Sequence, residues 1–207
     1  MIGPQIRAIF FDLGNVLVSL DTGKFVRKMM SLSGLGAEQL RAGFAGDLVP
    51  RYECGLLDTS EFLEQLCRRL GVQITESDFA AVWTGLFHDE LLIPEDLIRK
   101  LALEYQLWAI SNTNKMHFEF IRSHYRFLDC FRGWILSYEV GAAKPDPAIF
   151  LRGLERAGIG ALEGLFIDDQ MANVESARSL GIDSIHFLNA PALVEELKKR
   201  DVVLTDE

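Results

Sequence analysis

The feature that most constrains the fold is a short apolar run near the start of the chain, which stops abruptly at an acidic residue. Residues 6–11 are almost continuous in apolar, β-prone side chains, and Asp12 follows them directly. Such a run predicts a strand that is buried on both faces of a parallel sheet. Because a carboxylate at the end of such a strand is costly to bury without a partner, we expect Asp12 to have a specific role.

Further strands and helices alternate along the second half of the chain. Strand-like runs lie at residues 107–110, 134–136, 165–167 and 184–187, and helical patterns lie between them at residues 114–124, 147–157 and 171–180. Alternation of this kind predicts right-handed βαβ units. The expected fold class is therefore α/β, with a Rossmann-like parallel sheet that has helices on both faces.

The stretch between residues 21 and 100 has a different character, because its apolar side chains recur three and four residues apart. Helix starts are predicted where Asp58 precedes Glu61 and where Thr75 precedes Asp78, since both pairs approach the capping-box pattern. No convincing strand is found in this stretch. We expect it to be entirely helical.

These patterns predict two units of unequal size. At about 150 residues per domain, 207 residues correspond to roughly 1.4 domains. We predict an α/β core formed by residues 1–16 and 96–207. Residues 17–95 are predicted to form an all-helical cap that is inserted after the first strand.

Composition excludes several classes of protein. Hydrophobic residues make up 49% of the chain and charged residues 25%, which is typical of soluble globular proteins. No stretch approaches the roughly 18 consecutive apolar residues of a membrane span, so we expect no membrane partner and a cytoplasmic location. The net charge of −9 opposes binding to nucleic acid, which leaves a small molecule as the expected partner. No feature of the sequence defines an oligomeric state.

The three cysteines do not suggest a disulfide framework or a zinc site. Their number is odd and they form no CxxC pair. We expect them to be buried as small apolar side chains. They are Cys54, Cys67 and Cys130.

Polar side chains follow the predicted strands at one edge of the sheet, where open parallel sheets bind their ligands. They are Asp12, Gly14 and Asn15 after the first strand, Ser111 to Asn114 after the second, Lys144 beyond the third, and Asp168 and Asp169 after the fourth. Crowded carboxylates repel one another unless a cation lies between them. Because an all-oxygen set of ligands suits Mg²⁺, we expect a magnesium site at this edge.

Each of these residues also has an ordinary structural explanation. Asp146 and Pro147 form a good helix start, and Thr113 or Asn114 is expected to cap the helix that follows it. The two carboxylates after residue 167 are also acceptable as caps at a strand end. A single residue such as Lys144 is typical of a protein surface. The joint arrangement at one edge is what favours a site.

Four ordered segments resemble a known family. Residues 10–17 read FFDLGNVL, residues 110–112 read ISN, residues 144–147 read KPDP, and residues 166–169 read FIDD and are followed by Asn173. They resemble the four motifs of the haloacid dehalogenase superfamily, and the helical insertion resembles its small helical cap. The first segment is similar to a branch that includes bacterial sugar phosphatases of the glucose-1-phosphatase type.

The resemblance implies a Mg²⁺-dependent phosphatase that hydrolyses a small phosphorylated metabolite such as a sugar phosphate. Asp12, Lys144 and Ser111 would carry the catalysis, with Asp12 as the nucleophile that forms an aspartyl phosphate. Ser111, Lys144 and the backbone around Asn112 would hold the phosphoryl oxygens. Lys144 would also orient the nucleophile.

The resemblance also implies a ligand set for the metal. Asp12, Asp169 and the backbone carbonyl of Gly14 would bind Mg²⁺. Asp168 would lie behind these ligands and face the lysine. Asn173 would lie there with it.

One position departs from the family pattern. Many family phosphatases carry an aspartate two residues after the nucleophile, where it protonates the leaving group and then activates water, and Gly14 stands there instead. Because such acid–base help contributes about 10²–10⁴-fold, we expect a substrate with a good leaving group, such as an anomeric sugar phosphate. His117, His88 and Asp21 are candidates for a substitute acid. Asn15 is expected to tolerate the positive φ that a glycine usually adopts at its position.

The cap is expected to select the substrate and to exclude water when it closes. Candidates to line the cleft are Phe44, Tyr52, Glu53 and Phe87. Aromatic residues at helical spacing are, however, more often part of the cap's own core.

Two other functions are compatible with the motifs. One is a dehalogenase that acts at carbon, which also lacks the second aspartate but needs no metal. The other is a catalytically weak, phosphate-binding regulatory protein that kept the fold and lost the acid at position 14. The acidic pair Asp168 and Asp169 and the absence of an aromatic side chain at position 14 favour the phosphatase over the dehalogenase.

Overall fold

The computed structural model describes residues 5–202. The strands are β1 (Ala8–Phe11), β2 (Val18–Leu20), β3 (Phe87–Leu91), β4 (Gln106–Ser111), β5 (Gly133–Leu136), β6 (Gly164–Asp168) and β7 (Asp183–His186). The helices are α1 (Thr22–Ser33), α2 (Ala37–Phe44), α3 (Leu48–Glu53), α4 (Thr59–Leu70), α5 (Glu76–Trp83), α6 (Glu95–Glu104), α7 (Lys115–His124), α8 (Ser137–Val140), α9 (Pro147–Ala157), α10 (Met171–Ser179) and α11 (Ala190–Lys198).

β1 lies at the centre of a five-stranded parallel sheet with the order β5-β4-β1-β6-β7. Every residue of β1 is buried, as its apolar sequence predicted. Phe11 is in register with Ala109 on β4 and with Ile167 on β6. The residues that follow these three strands therefore meet at one edge of the sheet.

Helices cover both faces of this sheet, and the alternation of side chains along β1 contributes to both layers. Ile9 and Phe11 belong to an apolar cluster that includes residues of α6, α7 and α11. Ala8 and Phe10 belong to a second cluster with residues of α9 and α10. The predicted α/β fold with helices on both faces is confirmed.

Helices α1 to α5 pack around an apolar cluster of their own, which includes Met29 and Trp83. The predicted capping box begins α4, where the Asp58 side chain accepts a hydrogen bond from the amide of Glu61 and the Glu61 side chain accepts one from the amide of Asp58. Thr75 likewise caps α5. The helical character of this region is confirmed, and the division of the chain at residues 17–95 stays a prediction.

One sequence prediction is wrong within this region, because a strand lies where none was expected. β3 pairs with β2 in antiparallel orientation, with Val18 opposite Leu91 and Leu20 opposite Phe87. The three residues after Phe87 are exposed, and Phe87 itself is buried. A strand with one fully buried side chain has none of the alternation by which strands are detected in a sequence.

No helix within residues 5–202 is long and apolar enough to cross a membrane. The longest, α1 and α4, have 12 residues each, whereas a spanning helix needs about 20. The three cysteines are free thiols that are only partly buried, so they are less enclosed than predicted.

Candidate active site

Three carboxylates lie together at the carboxyl edge of the larger sheet. Asp12 directly follows β1, Asp168 is the last residue of β6, and Asp169 comes next. One oxygen of each lies within 4.8 Å of the other two. Asp12 is 7% exposed and Asp168 is fully buried, so both charges are largely removed from water. The parallel strand ends bring these residues together, as the sequence indicated.

Lys144 lies inside this cluster and supplies a cation to it. Its Nζ lies 2.8 Å from Oδ1 of Asp12 and 2.6 Å from Oδ2 of Asp168. It also donates a hydrogen bond of 2.9 Å to the carbonyl oxygen of Ile110. Because an ammonium group has three protons to donate, the protein satisfies all of them. Lys144 therefore fixes the orientation of Asp12 before any ligand arrives.

The side chain of Asn112 holds the backbone of Lys144 in place. Its Nδ2 donates to the carbonyl oxygen of Lys144 at 2.8 Å, and its Oδ1 accepts from the amide of Lys144 at 2.7 Å. The two residues are 32 positions apart in the chain, so sequence spacing alone carries no signal of this contact. Because the side chain of Asn112 is engaged in this way, only its backbone remains for contact with a phosphoryl group.

Asp168 is fully engaged by protein donors. Besides Lys144, it accepts hydrogen bonds from Nδ2 of Asn173, at 3.0 and 3.1 Å to its two oxygens, and from the amide of Gln170 at 2.8 Å. A carboxylate with these partners is poorly placed to bind a metal as well. Asp168 thus contacts both Lys144 and Asn173, and the role that the resemblance implies for Asp168 and Asn173 stays a prediction.

Asp169 is held differently. Its Oδ1 is buried and has no hydrogen-bond partner within residues 5–202. Its carbonyl oxygen lies 2.9 Å from Nε2 of His186 at the end of β7, a contact that the sequence did not reveal. A buried carboxylate oxygen without a partner is costly, and a cation relieves that cost.

The turn after β1 provides a further oxygen. The amides of Leu17 and Val18 both donate to the carbonyl oxygen of Leu13, and no described residue donates to that of Gly14. Asn15 adopts a φ of 56°, the left-handed conformation that the sequence analysis expected it to tolerate. The Gly14 carbonyl is therefore available as a ligand.

The electrostatics of the cluster favour a bound cation. Burial raises the pKa of Asp12 to about 6, although Lys144 opposes the rise, and the charge of Asp168 adds to it. Burial also raises the pKa of Asp169, and Asp168 adds to that shift. The site thus holds more negative charge than one lysine neutralises. Free oxygens from Asp12, Gly14 and Asp169 fit the donor preference of Mg²⁺.

Ser111 ends β4 beside this cluster and is buried. The loop that follows it is fixed by Ser137, whose Oγ accepts a hydrogen bond of 2.9 Å from the amide of Thr113 and donates one of 3.1 Å to the Thr113 carbonyl. Of the two predicted caps for α7, Thr113 and Asn114, the structure has Asn114. The hydroxyl of Ser111 donates no hydrogen bond to any described residue and is free for a ligand.

His117 has a structural role that argues against its use as an acid. Its ring stacks on Trp83 at 4.7 Å, its Nε2 lies 3.0 Å from the carbonyl oxygen of Trp83, and its Nδ1 lies 3.2 Å from Nδ2 of Asn114. A carbonyl accepts only, so Nε2 carries the proton and Nδ1 accepts. Burial lowers the pKa of His117 to about 4, and the ring is neutral at pH 7.

The other two candidates for a substitute acid are engaged in contacts of their own. The carboxylate of Asp21 caps α1 by accepting from the amide of Lys24 at 2.6 Å. His88 is exposed on β3, and its Nε2 lies 3.9 Å from Oδ2 of Asp21. Each of the three predicted candidates is therefore engaged in a structural contact.

The aromatic candidates for the cleft belong largely to apolar cores. Tyr52 is buried and stacks on Phe62 at 4.4 Å, and Phe44 stacks on Trp83 at 5.9 Å. Phe87 is buried in the apolar cluster that includes residues of β1. Glu53 differs from these three, because it is a charged group that is only partly exposed. Burial raises the pKa of Glu53 to about 7, and the charge of Asp12 adds to the rise.

Comparison with known proteins places these features in a family. A model of the haloacid dehalogenase-like hydrolases matches residues 6–181. The chain is 29% identical over 200 residues to D-ribitol-5-phosphate phosphatase of Bacteroides thetaiotaomicron, a match that covers 93% of this chain and 97% of that enzyme. It is 25% identical over 197 residues to a sesquiterpene phosphatase of Aspergillus oryzae, with coverage of 93% and 95%.

Solved structures show the same relationship. A HAD family enzyme of Bacteroides thetaiotaomicron, in complex with magnesium and inorganic phosphate, is 30% identical with a TM-score of 0.80, covering 89% of this chain and 95% of that one. A HAD-like hydrolase of Porphyromonas gingivalis is 29% identical with a TM-score of 0.79, covering 94% and 98%. An L-2-haloacid dehalogenase of Xanthobacter autotrophicus, 19% identical with a TM-score of 0.63, covers 96% and 85% and shares the fold alone.

Proposed function

The chain belongs to the haloacid dehalogenase-like hydrolases, and from this membership we propose how its carboxylate cluster works and which substrates it takes. It is a magnesium-dependent phosphatase that hydrolyses the phosphate monoester of a small metabolite. The observation that carries the mechanism is the contact of Asp12 with Lys144, beside the unpartnered oxygen of Asp169.

Asp12 is the nucleophile. Its Oδ1 accepts hydrogen bonds from the amide of Leu13 at 2.7 Å and from Lys144, whereas its Oδ2 accepts none from the described residues. The free oxygen attacks phosphorus, the bond from phosphorus to the ester oxygen breaks, and an aspartyl phosphate forms. Water then attacks this phosphorus, the bond to Asp12 breaks, and inorganic phosphate leaves. Lys144 holds the attacking group in one orientation throughout.

Asp12, Asp169 and the carbonyl of Gly14 are the residues that would hold Mg²⁺. When bound, the ion supplies positive charge that offsets the carboxylates and the phosphoryl oxygens. Ser111 and the backbone around Asn112 would contact the phosphoryl oxygens. Asp168 and Asn173 act by fixing Lys144.

The substrate is the monophosphate of a sugar or of a sugar alcohol. The relative from Bacteroides thetaiotaomicron that the chain matches along nearly its whole length is named for such a substrate, D-ribitol 5-phosphate. A net charge of −9 disfavours polyanions and is compatible with a small ester whose one phosphate meets a local cation.

The test is the release of inorganic phosphate from ribitol 5-phosphate and from a panel of sugar monophosphates, with Mg²⁺ and with EDTA. Wild-type protein is expected to turn over at least one of these esters only when Mg²⁺ is present. Asp12→Asn should abolish turnover, whereas Asp146→Asn, which replaces another carboxylate by an equally good helix cap, should leave it unchanged. Turnover by Asp12→Asn at the wild-type rate would overturn the mechanism.

A further inference from the structure

The end of α3 brings a carboxyl group from the helical region to the edge of the larger sheet. Glu53 is the last residue of α3. Gly55, two residues on, has a φ of 70°, and a Cβ built there would lie 2.2 Å from the carbonyl oxygen of Tyr138. Tyr138 belongs to α8, which begins where β5 ends. The backbone after Glu53 is therefore pressed directly against a strand-end loop of the site.

Ser137 connects this contact to the phosphoryl site. It is the first residue of α8 and binds both the amide and the carbonyl of Thr113, two positions after Ser111. The end of α3 thus rests on the same loop network that fixes Ser111. Cys54 lies between Glu53 and Gly55, and burial raises the pKa of its thiol, with the charges of Glu53 and Asp146 adding to the rise.

Glu53 has no competing partner. No hydrogen bond or ion pair joins its carboxyl group to any residue within 5–202, although the group is only partly exposed. Burial raises the pKa of its carboxyl group, and the charge of Asp12 adds to the rise. Charged neighbours on its own helix and on the helices packed against it are engaged elsewhere: Arg51 with Asp47 and Gln65, Glu61 as a cap, Glu64 with Arg68, Arg69 with Asp47, and Glu139 with Arg156.

The reaction proposed above lacks one component. A primary sugar-alcohol phosphate has a poor leaving group, which must gain a proton as its bond to phosphorus breaks. Position 14 carries no carboxyl group, and His117, His88 and Asp21 are each engaged in structural contacts. A general acid whose pKa lies near the operating pH is the most effective, and the raised pKa of Glu53 meets this condition.

We propose that Glu53 is the general acid and base of this phosphatase, contributed by the helical cap in place of the acid that is absent at position 14. The inference rests on the function proposed above. As Asp12 attacks phosphorus, the carboxylic acid of Glu53 gives its proton to the departing ester oxygen, and a neutral alcohol leaves. The carboxylate of Glu53 then takes a proton from the water that attacks the aspartyl phosphate. Phosphate is released, and both Asp12 and Glu53 return to their starting forms.

This assignment changes the expected substrate range. The requirement for a good leaving group followed from the glycine at position 14 alone. With a proton donor at Glu53, esters of ordinary alcohols become suitable substrates. It also couples catalysis to the cap, because the acid reaches the ester oxygen only while α3 lies on α8.

The experiment compares Glu53→Gln with wild type on ribitol 5-phosphate and on 4-nitrophenyl phosphate, whose leaving group needs no proton. For the alkyl ester we expect kcat to fall by about 10²–10⁴-fold. For the aryl ester we expect a rapid burst of one nitrophenolate per enzyme, followed by slow turnover, because the first step proceeds and the attack of water lacks its base. Glu64→Gln, which removes a carboxylate on the outer surface of α4, should match wild type on both esters.

Other outcomes separate the two proposals. An equal loss on both esters without a burst, or no loss on either, would overturn the assignment of Glu53 while leaving Asp12 as the nucleophile. Loss of both burst and turnover in Asp12→Asn is expected, and a wild-type burst in that variant would overturn the function itself.

A second measurement does not depend on any variant. In the wild type, kcat/KM for the alkyl ester should decline as the pH rises above about 7, since the acid form of Glu53 is then lost, and kcat/KM for the aryl ester should not. The same decline for both esters would contradict the proposal.

Discussion

The side-chain nitrogen of Lys144 lies 2.6 Å from Oδ2 of Asp168, and both side chains are almost completely closed to solvent. This ion pair joins the loop before α9 to the end of β6. A buried pair of this kind gains little net stability when it forms, but removing one partner leaves the other as an uncompensated charge. Its value lies in fixing the ammonium group that also holds Asp12.

Asp168→Ala should therefore reduce both stability and activity. Loss of one partner of a buried pair costs about 3–5 kcal/mol in the free energy of unfolding, which urea denaturation measures. Activity should fall even at temperatures where the variant is folded, because Lys144 loses one of its three acceptors. Glu64→Gln breaks an exposed pair with Arg68 and should not change stability measurably. Similar losses in the two variants would contradict the argument.

Asp169→Asn should separate metal binding from folding. Burial and the charge of Asp168 raise the pKa of Asp169 in the folded protein. At a pH above the pKa of this group in the unfolded chain, its negative charge therefore destabilises the metal-free protein, and Asn removes that charge. The thermal midpoint without metal should stay equal or rise. Mg²⁺ raises the thermal midpoint of the wild type because it binds the folded state, and this rise should be smaller in the variant. The Mg²⁺ concentration at half-saturation should increase by about tenfold or more. A full Mg²⁺ effect in Asp169→Asn would exclude it as a ligand.

Much of this architecture was predictable because it depends on local pattern. The apolar run before Asp12 could only be a central strand, and the paired caps at Asp58 and Glu61 begin α4 as expected. β3 was missed because its burial is limited to Phe87 and its pairing depends on the distant β2. Local sequence does not encode a partner strand more than sixty residues away.

The site divides in the same way. Asp12, Lys144 and Asp168 could be expected to meet, because the ends of parallel strands share an edge. The contact of the Asn112 side chain with the Lys144 backbone could not, since it depends on side-chain geometry between two loops. The position of Glu53 could not be predicted from the sequence either, because it depends on how α3 packs against α8.

His117 should make the protein sensitive to acid. Its pKa is lowered in the folded state, so the unfolded chain binds more protons between pH 6.5 and about 4, and stability falls as the pH falls through that window. At about 1.4 kcal/mol per pKa unit, this one group costs about 3 kcal/mol by pH 4. His117→Gln, which does not titrate, should show a shallower loss of unfolding free energy over the same range. The exposed His88→Gln should keep the wild-type slope, and an identical slope in both variants would contradict the prediction.

Gly55→Ala tests how α3 is held against α8. Ala at this position meets two costs: a φ of 70°, which disfavours any side chain by about 1–2 kcal/mol, and a Cβ only 2.2 Å from the backbone oxygen of Tyr138. Gly46→Ala is the matched control, because it has a φ of 81° but no atom within 4 Å of its Cβ. Gly55→Ala should lose more stability in urea denaturation than Gly46→Ala. It should also lower kcat for an alkyl phosphate, since Glu53 moves with the turn, whereas Gly46→Ala should not. Equal effects of the two substitutions on stability and on kcat would show that this contact neither holds α3 nor places Glu53.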